Sequence, residues 1–343
     1  MNMMKKIVLL FLPILALSAC YEPYVKDYDY SAIYVANQYD LRSLVVGEGM
    51  QFDFGAVLGG VMDNARDRVV RFELNDDLVI GDLSIFGADS PFTAMDGMLG
   101  TAPVGTLSQK YVTDAVAAAD LTALTPLPAS HFRLSNDSRM TIAKGQHTGT
   151  VTLKADSLSF LSDEHVGVQP YYAIGYSIFS TDADTVLLSK SFGVIALRVE
   201  NTFFGWWYHG GKSRMTAADG TVTETVYPTK IPADANTFEV YEMVSVTPYA
   251  VKTNFFHNRK DASMLISMEG NGIVVSAEDG SITDTGSGWN HARLLQDRKI
   301  FLNYSYTSAD GSVTTVSDTL SFRNRIRDGV NEWQDENPDH YGK

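Results

Sequence analysis

Cysteine is almost absent: Cys20 is the single one in a chain of 343 residues. A lone thiol excludes an intramolecular disulfide framework and any multi-cysteine zinc or iron–sulfur site. Basic residues are scarce too, 27 Lys and Arg against 41 Asp and Glu, for a formal balance of −14. Proteins that grip phosphates cluster their cations, so no nucleic acid partner is expected. There is no glycine loop ending in Lys-Ser or Lys-Thr, no His-Glu-x-x-His and no Gly-x-Ser-x-Gly elbow. The histidines stand at 131, 147, 165, 209, 257, 291 and 340, no two of them three to five apart, so no metal and no cofactor is expected. EF-hand spacing is likewise missing. Acids are plentiful, and a glycosidase needs only two about 5 to 10 Å apart. Those in Asp76-Asp77, Asp163-Glu164 and Asp182-Ala183-Asp184 fall where turns are expected, and there acids solvate loops and cap backbone. The chain reads as a non-enzyme.

What is present is a globular composition, 45% hydrophobic and 11% aromatic, on a length that fits two domains. Lys5 and Lys6 precede an apolar run from Ile7 to Leu17, and Leu17-Ser18-Ala19 leads into Cys20. Eleven apolar residues fall short of the roughly 20 a spanning helix needs. Residues 1–19 are therefore expected to be a lipoprotein signal peptide, with Cys20 as the lipidated new N-terminus and 20–30 as a tether. Acyl chains anchor at roughly 0.8 kcal/mol per buried CH₂, so two or more hold a protein stably in a membrane. Loss of the two lysines leaves 25 basic against 41 acidic residues, a balance of −16.

Beyond the signal the period is two. In Val69-Val70-Arg71-Phe72-Glu73-Leu74 one face collects Val70, Phe72 and Leu74 while charge lies on the other. Similar runs occur at 51–57, 140–142, 150–155, 171–179 and 192–199, the pattern of a β-sandwich over 31–200. One helical candidate, Val112 to Leu124, is stopped by Pro126 and Pro128 and is expected in a connection. From 203 to 343, turn dipeptides at Asp219-Gly220, Asn271-Gly272, Asp279-Gly280 and Asp310-Gly311 separate strands at 221–227, 263–269, 273–277, 299–307 and 313–322. Such a run makes an antiparallel meander of about eight strands that closes into a lipocalin-like barrel or a roll.

Gly59-Gly60, Leu127-Pro128-Ala129-Ser130-His131-Phe132 and Met140-Thr141-Ile142-Ala143-Lys144-Gly145 resemble the immunoglobulin-like N-terminal domain of a Bacteroidetes two-domain surface-lipoprotein family of unknown function. Gly205-Trp206-Trp207-Tyr208, Phe301-Leu302-Asn303-Tyr304-Ser305-Tyr306 and the closing Arg325 to Trp333 resemble that family's β-barrel-like C-terminal domain. The acids after Cys20 loosely resemble surface-export signals of such lipoproteins. The resemblance implies an all-β protein, lipid-anchored in the outer membrane and facing the cell exterior. It also implies carbohydrate binding as an accessory of a glycan-uptake system, with outer-membrane transporter proteins as partners. Asp156-Ser157-Leu158, Asp184-Thr185-Val186 and Asp318-Thr319-Leu320 resemble Bacteroidetes O-glycosylation acceptors.

All four tryptophans lie in the second half. Sugars stack C–H patches on flat rings while Asn, Asp, Arg and Gln meet their hydroxyls. Alternation sends Trp206 and Tyr208 to one face and Trp207 to the other, so one of the two tryptophans is core and the other faces out. Trp289 stands alone in the polar loop Thr285 to His291, where it either meets ligand with Asn290, His291 and Arg293 or latches over the barrel end. Arg323, Arg325 and Arg327 alternate onto one face, either as an anion stripe or paired with surplus acids, with Trp333 pinning the terminus. Tyr304 and Tyr306 share a face with Leu302 and read as core or as the lining of a barrel mouth. The function expected is a non-catalytic lipoprotein that binds oligosaccharide or polysaccharide. The alternative is a structural or protein-interaction lipoprotein, an adhesin or a transporter partner.

Overall fold

The computed structural model describes residues 30–80, 114, 117–121, 124–229, 239–327 and 330–331. Cys20, the signal, most of the tether and Trp333 lie outside them. Strands β1 (Ala32–Tyr34), β2 (Tyr39–Val45), β3 (Gln51–Gly59), β4 (Arg68–Leu74), β5 (Thr125–Pro126), β6 (Phe132–Leu134), β7 (Arg139–Ile142), β8 (Thr148–Ala155), β9 (Tyr172–Thr181), β10 (Thr185–Val186) and β11 (Phe192–Glu200) form a two-sheet sandwich. One sheet runs β10-β1-β3-β8-β6, the other β2-β11-β9-β4-β7 with β5 beside β9. In β3 the period of two sends Phe52, Phe54, Ala56 and Leu58 inward. There Phe54 meets Phe72 and Tyr176 of the facing sheet at centroid distances of 5.7 and 4.8 Å.

The strands β9 and β11 read as almost unbroken apolar runs because both of their faces are covered. Their outer face takes Leu78 and Val79, from the short helix α1 (Asp77–Ile80), together with Leu124. The candidate helix 112–124 falls largely outside the described residues; positions 114, 117 and 118 are helical.

A second short helix, α2 (Ser157–Leu161), is capped by the Asp156 carboxylate, which accepts from the Ser159 N–H at 2.9 Å. Beyond it, Asp163 accepts from the His165 N–H at 2.8 Å and from the Tyr172 hydroxyl at 2.7 Å, with His131 Nε2 2.9 Å away. The bond from the His165 backbone N–H, then that from the Tyr172 hydroxyl, holds its carboxyl down at about 2 against an ordinary 3.8. A folded pKa below the unfolded one stabilises fully above about pH 4, and that contribution is lost as pH falls toward about 2. Asp163→Asn is therefore expected to flatten this part of the acid limb when stability is followed by guanidinium melts. An unchanged limb would show that the lock carries no stability.

After the sandwich come β12 (Gly205–Thr216), β13 (Val222–Tyr227), β14 (Val240–Thr247), β15 (Ala250–Thr253), β16 (Leu265–Glu269), β17 (Gly272–Ser276), β18 (Ile282–Asp284), β19 (Gly288–Trp289), β20 (Lys299–Thr307) and β21 (Val313–Asn324). They pair in the order β17-β16-β15-β14-β12-β21-β20-β18. First and last long strands, β12 and β21, are hydrogen-bonded neighbours along eleven residue pairs. This is the expected meander curled into a nearly closed barrel, with β17 and β18 as its end strands. Its seam lies between β17 and β18, bridged by the Asp284 carboxylate, which accepts from the Val275 N–H at 2.7 Å. Halfway along, β12 exchanges β14 for β13 as its neighbour. Gly211 stands at that exchange with φ +127°, and a Cβ there would lie 2.3 Å from the Ser317 carbonyl, so only glycine fits.

The turns do not take the type I′ geometry that Asp-Gly and Asn-Gly dipeptides favour in hairpins. At 219–220, 279–280 and 310–311 the glycine alone takes positive φ. Each aspartate stays right-handed and accepts the N–H two residues on, at 2.8 to 2.9 Å, an Asx cap. The fourth turn centres on Gly270-Asn271 rather than Asn271-Gly272, since Glu269 pairs with Gly272 and Gly270 takes φ +58°. Glycine first is the type II′ arrangement.

The two domains meet at a buried ion cluster. Glu48 projects from the β2–β3 turn between Gly47 and Gly49, both at positive φ. Its carboxylate accepts from Arg298 Nη1 at 2.7 Å, Arg325 Nη1 at 2.8 Å, Arg325 Nη2 at 2.9 Å and the Thr202 hydroxyl at 2.8 Å. Both guanidiniums also donate to the Thr202 carbonyl, and Arg325 Nε donates to the Phe204 carbonyl. The connector is bonded on its other side as well, Asn201 donating to Ser245 Oγ and to the Pro248 carbonyl. Arg325 is fully buried and paired with Glu48, the second of the two readings of the arginines; the shared face with Arg323 is corrected, since β21 ends at Asn324 and the next residue turns inward to the acid. Among the described residues no helix is long and apolar enough to cross a membrane.

Candidate functional site

Of the sequence-predicted residues, Trp207 is withdrawn. Its ring is 0% exposed, its Nε1–H donates to the Phe203 carbonyl at 2.9 Å, and it packs edge-on against Phe322. The alternation in β12 makes it the core member. Trp206 and Tyr208 are half-exposed on the outer wall, two residues apart and so about 6.6 Å along the strand. Phe204 lies 6.5 Å from Trp206, and the Arg323 guanidinium sits 5.7 Å from the Tyr208 centroid in a cation–π contact. Paired strands set Glu242 and Asn324 opposite Trp206, and Ser321 opposite Tyr208. Two flat apolar rings with a guanidinium, a carboxylate, an amide and a hydroxyl around them offer C–H stacking beside hydrogen bonding. Arg323 was noticed in the sequence only as part of the stripe. Alternation gives the outward direction of Tyr208, a ring with no ligand signal of its own in the sequence.

The Trp289 loop is brought elsewhere, to the barrel end beside the connector. Trp289 pairs with Ile300 in β20, packs 5.3 Å from Phe203 and lies 6.0 Å from the Arg298 guanidinium. Its half-buried ring covers the core as a latch, leaving Nε1 buried with no hydrogen-bond partner among the described residues. Asn290 is occupied internally. Its amide donates to the Asp297 carbonyl at 2.7 Å, and its oxygen accepts from the Ala292 and Lys299 N–H groups. His291, at φ +54°, lies against Trp289 with ring centroids 4.3 Å apart and planes tilted by 46°. Arg293 is exposed, and its carbonyl accepts from Arg298. Only Trp289 and His291 of this set form a joint surface.

At the opposite end of the barrel lies a buried polar cluster that sequence reasoning missed. His209 Nδ1 is 3.0 Å from Glu239 and Nε2 is 2.9 Å from Asp318. His257 Nδ1 faces the Tyr306 hydroxyl at 2.8 Å, and the Tyr241 hydroxyl accepts the His257 N–H. Burial pushes the Asp318 carboxyl above the usual carboxylate range, with His209 pulling the other way. Burial likewise lowers the His257 pKa, against the opposing charge of Asp318. Lys260 pairs with Glu239 across the rim. Since His209, Asp318, Tyr304 and Tyr241 are all under 3% exposed, the cluster holds strands together instead of meeting solutes. Tyr304 and Tyr306 are core, as one of the two readings had it.

Ser130 Oγ, His131 and Asp163 line up at 3.0 and 2.9 Å. The serine is the histidine's chain neighbour, and the contact ties a 3-10 turn to the Asp163 loop. Among the described residues no three His, Cys, Asp or Glu side chains are placed to hold a metal ion. Of the three acceptor-like triplets, Asp156-Ser157-Leu158 is exposed throughout, whereas Asp318 and Leu320 flank Thr319 from the core.

The chain matches no family model and no curated protein. Among solved structures, a protein of unknown function from Bacteroides ovatus aligns with a TM-score of 0.53 at 19% identity, over 86% of this chain and 95% of that one. A second protein of unknown function from the same organism aligns at 0.35 and 10% identity, over 90% and 99%. A multidomain protein including DUF1735, again from Bacteroides ovatus, aligns at 0.34 and 9% identity, over 89% and 100%. The first of these likenesses shows that the fold, a sandwich followed by a barrel, is shared with a Bacteroides protein of unknown function.

Proposed function

We propose that this is a non-catalytic glycan-binding lipoprotein, anchored through Cys20 at the outer-membrane surface as an accessory of polysaccharide uptake, and that the outer wall of the barrel is its binding face. The observation that carries the reading is the pair of half-exposed rings, Trp206 and Tyr208, side by side on β12 with Arg323 against the second. In this reading the sandwich is the spacer between the tether and the barrel. Affinity electrophoresis of residues 21–343 against laminarin, xyloglucan, galactomannan and starch tests it. Retention by at least one, reduced about tenfold or more in Trp206→Ala, is the expected result, a loss within the range for truncating an aromatic contact. No retention by any, or retention indifferent to Trp206→Ala and Tyr208→Ala, would overturn it.

A protein-interaction role draws on β13, whose Val222 and Val226 are 44% and 77% exposed. Its far edge has no strand neighbour among the described residues. Co-purification of a transporter with the full chain, abolished by Val226→Glu and with every glycan ignored, would favour this role.

A further inference from the structure

We propose that the groove between the β2–β3 turn and the β6–β8 edge of the sandwich is a second binding site, which takes the carboxylate or sulfate of an acidic saccharide. It rests on the glycan reading for the saccharide and on its own charges for the anion.

The groove encloses about 460 Å³, and Gly47, Met50, Arg133, Lys154, Asp156 and Ser157 are among the residues that line it. Arg133 and Lys154 are direct cross-strand partners in the β6–β8 ladder. Like charges set opposite one another on antiparallel strands repel. Among the described residues neither forms an ion pair. In a chain with 41 acids for 27 bases, two adjacent cations without a salt bridge are conspicuous. The nearby carboxylate is Asp156, which lies in the field of Arg133 but is engaged in capping α2 through the Ser159 N–H at 2.9 Å.

An anion between the two cations would relieve the repulsion. Arg133 offers the planar fork that meets a carboxylate or sulfate with two parallel bonds, and Lys154 adds a compact charge. The rest of the lining suits a sugar ring. Val46 and Leu161, both half-buried in the lining, give apolar surface for C–H groups and Ser157 a hydroxyl. At Gly47 an added Cβ would meet nothing within 4 Å, so the backbone there borders open space. Because both cations stand on paired strands, their spacing is set by the sheet before any ligand arrives.

Titration calorimetry with trigalacturonate on the whole lipid-free chain tests the site. The double variant Arg133→Ala, Lys154→Ala is expected to bind about tenfold or more weakly, the loss of charge-assisted bonds. A second opposed pair, Arg71 and Arg139 on β4 and β7, supplies the control: removing both takes away the same two charges elsewhere and is expected to leave binding within about twofold. Affinity of the unmodified chain should also fall as NaCl rises from about 50 to about 500 mM. The site is refuted if trigalacturonate does not bind or if both double variants lose affinity equally. It is also refuted if sodium sulfate alone binds as well as the saccharide, since that marks an inorganic ion site. Trp206→Ala should leave trigalacturonate binding at the groove intact, so failure of the barrel face and failure of the groove register separately.

Discussion

Glu48→Ala is expected to lower the unfolding free energy by about 3 to 5 kcal/mol, the cost of leaving buried charge without its partner. Removing this side chain strands two guanidiniums, Arg298 at 3% exposure and Arg325 at 0%, without the carboxylate that neutralises them, leaving neutral acceptors such as the Thr202 hydroxyl and carbonyl. The carboxylate accepts at 2.7 to 2.9 Å from both of them and from Thr202 in the connector. It is the sandwich's contribution to a cluster whose other members belong to the barrel and the link. The variant should therefore also uncouple the halves: a guanidinium titration that is a single transition in the parent should separate into two. Replacing Glu48, Arg298 and Arg325 together by Leu, Met and Met should recover much of the loss, since apolar side chains of similar volume carry no desolvation cost. A Glu48→Ala midpoint within error of the parent, with one transition retained, would show that the junction is held by packing and not by this cluster.

Trp207→Ala should cost a similar amount, about 3 to 5 kcal/mol, for a different reason. Its ring sits at the centre of the barrel core, edge-on to Phe203 at 6.4 Å and to Phe322 at 5.5 Å, with its N–H satisfied by backbone. Truncation leaves a cavity walled by rings from the connector and from β21 that cannot collapse together, and a carbonyl without its donor. The neighbour gives the comparison. Trp206→Ala removes a half-exposed ring from the outer wall and is expected to shift stability by about 1 kcal/mol or less while weakening glycan retention about tenfold or more. Chemical denaturation of the two variants side by side reads the difference. If Trp206→Ala proved the more destabilising of the pair, the assignment of core and outer faces along β12 would be wrong.

That contrast was already half legible in the chain. Alternation across Trp206, Trp207 and Tyr208 requires one tryptophan inside and one outside, and Tyr208 has to follow Trp206. It does not say which face is inward, because that depends on strands more than a hundred residues away. The same period located β3, β4, β8, β9, β11, β20 and β21, where one face or both are apolar. It missed β14 and β15, and it missed the two-residue pairings at β5, β10 and β19, which are too short to show a period. Alternation misled where it was extended past a strand end. Arg323 and Arg325 were put on one face, yet β21 stops at Asn324, with an irregular register opposite Trp206 and Trp207, and Arg325 turns inward. Glu48 had no local signal beyond its two flanking glycines, since its partners lie 250 and 277 residues along the chain. The Asp-Gly dipeptides gave the positions of three turns but not their geometry, because an aspartate that caps the N–H two residues on has no need of positive φ.

The seam between β17 and β18 gives the barrel a preferred place to breathe. Elsewhere around the wall each strand is held to its neighbours by ladders of backbone bonds, which must be lost several at a time. Across the seam, among the described residues, the hydrogen bond is a single one, from the Val275 amide to the Asp284 side chain. Such an edge opens without unravelling anything else, at a free energy well below that of global unfolding. The barrel therefore behaves less like a rigid ring than like a clasped cuff, and the Val275 amide should report each opening by exchanging its proton with solvent ahead of the amides buried between β12 and β21.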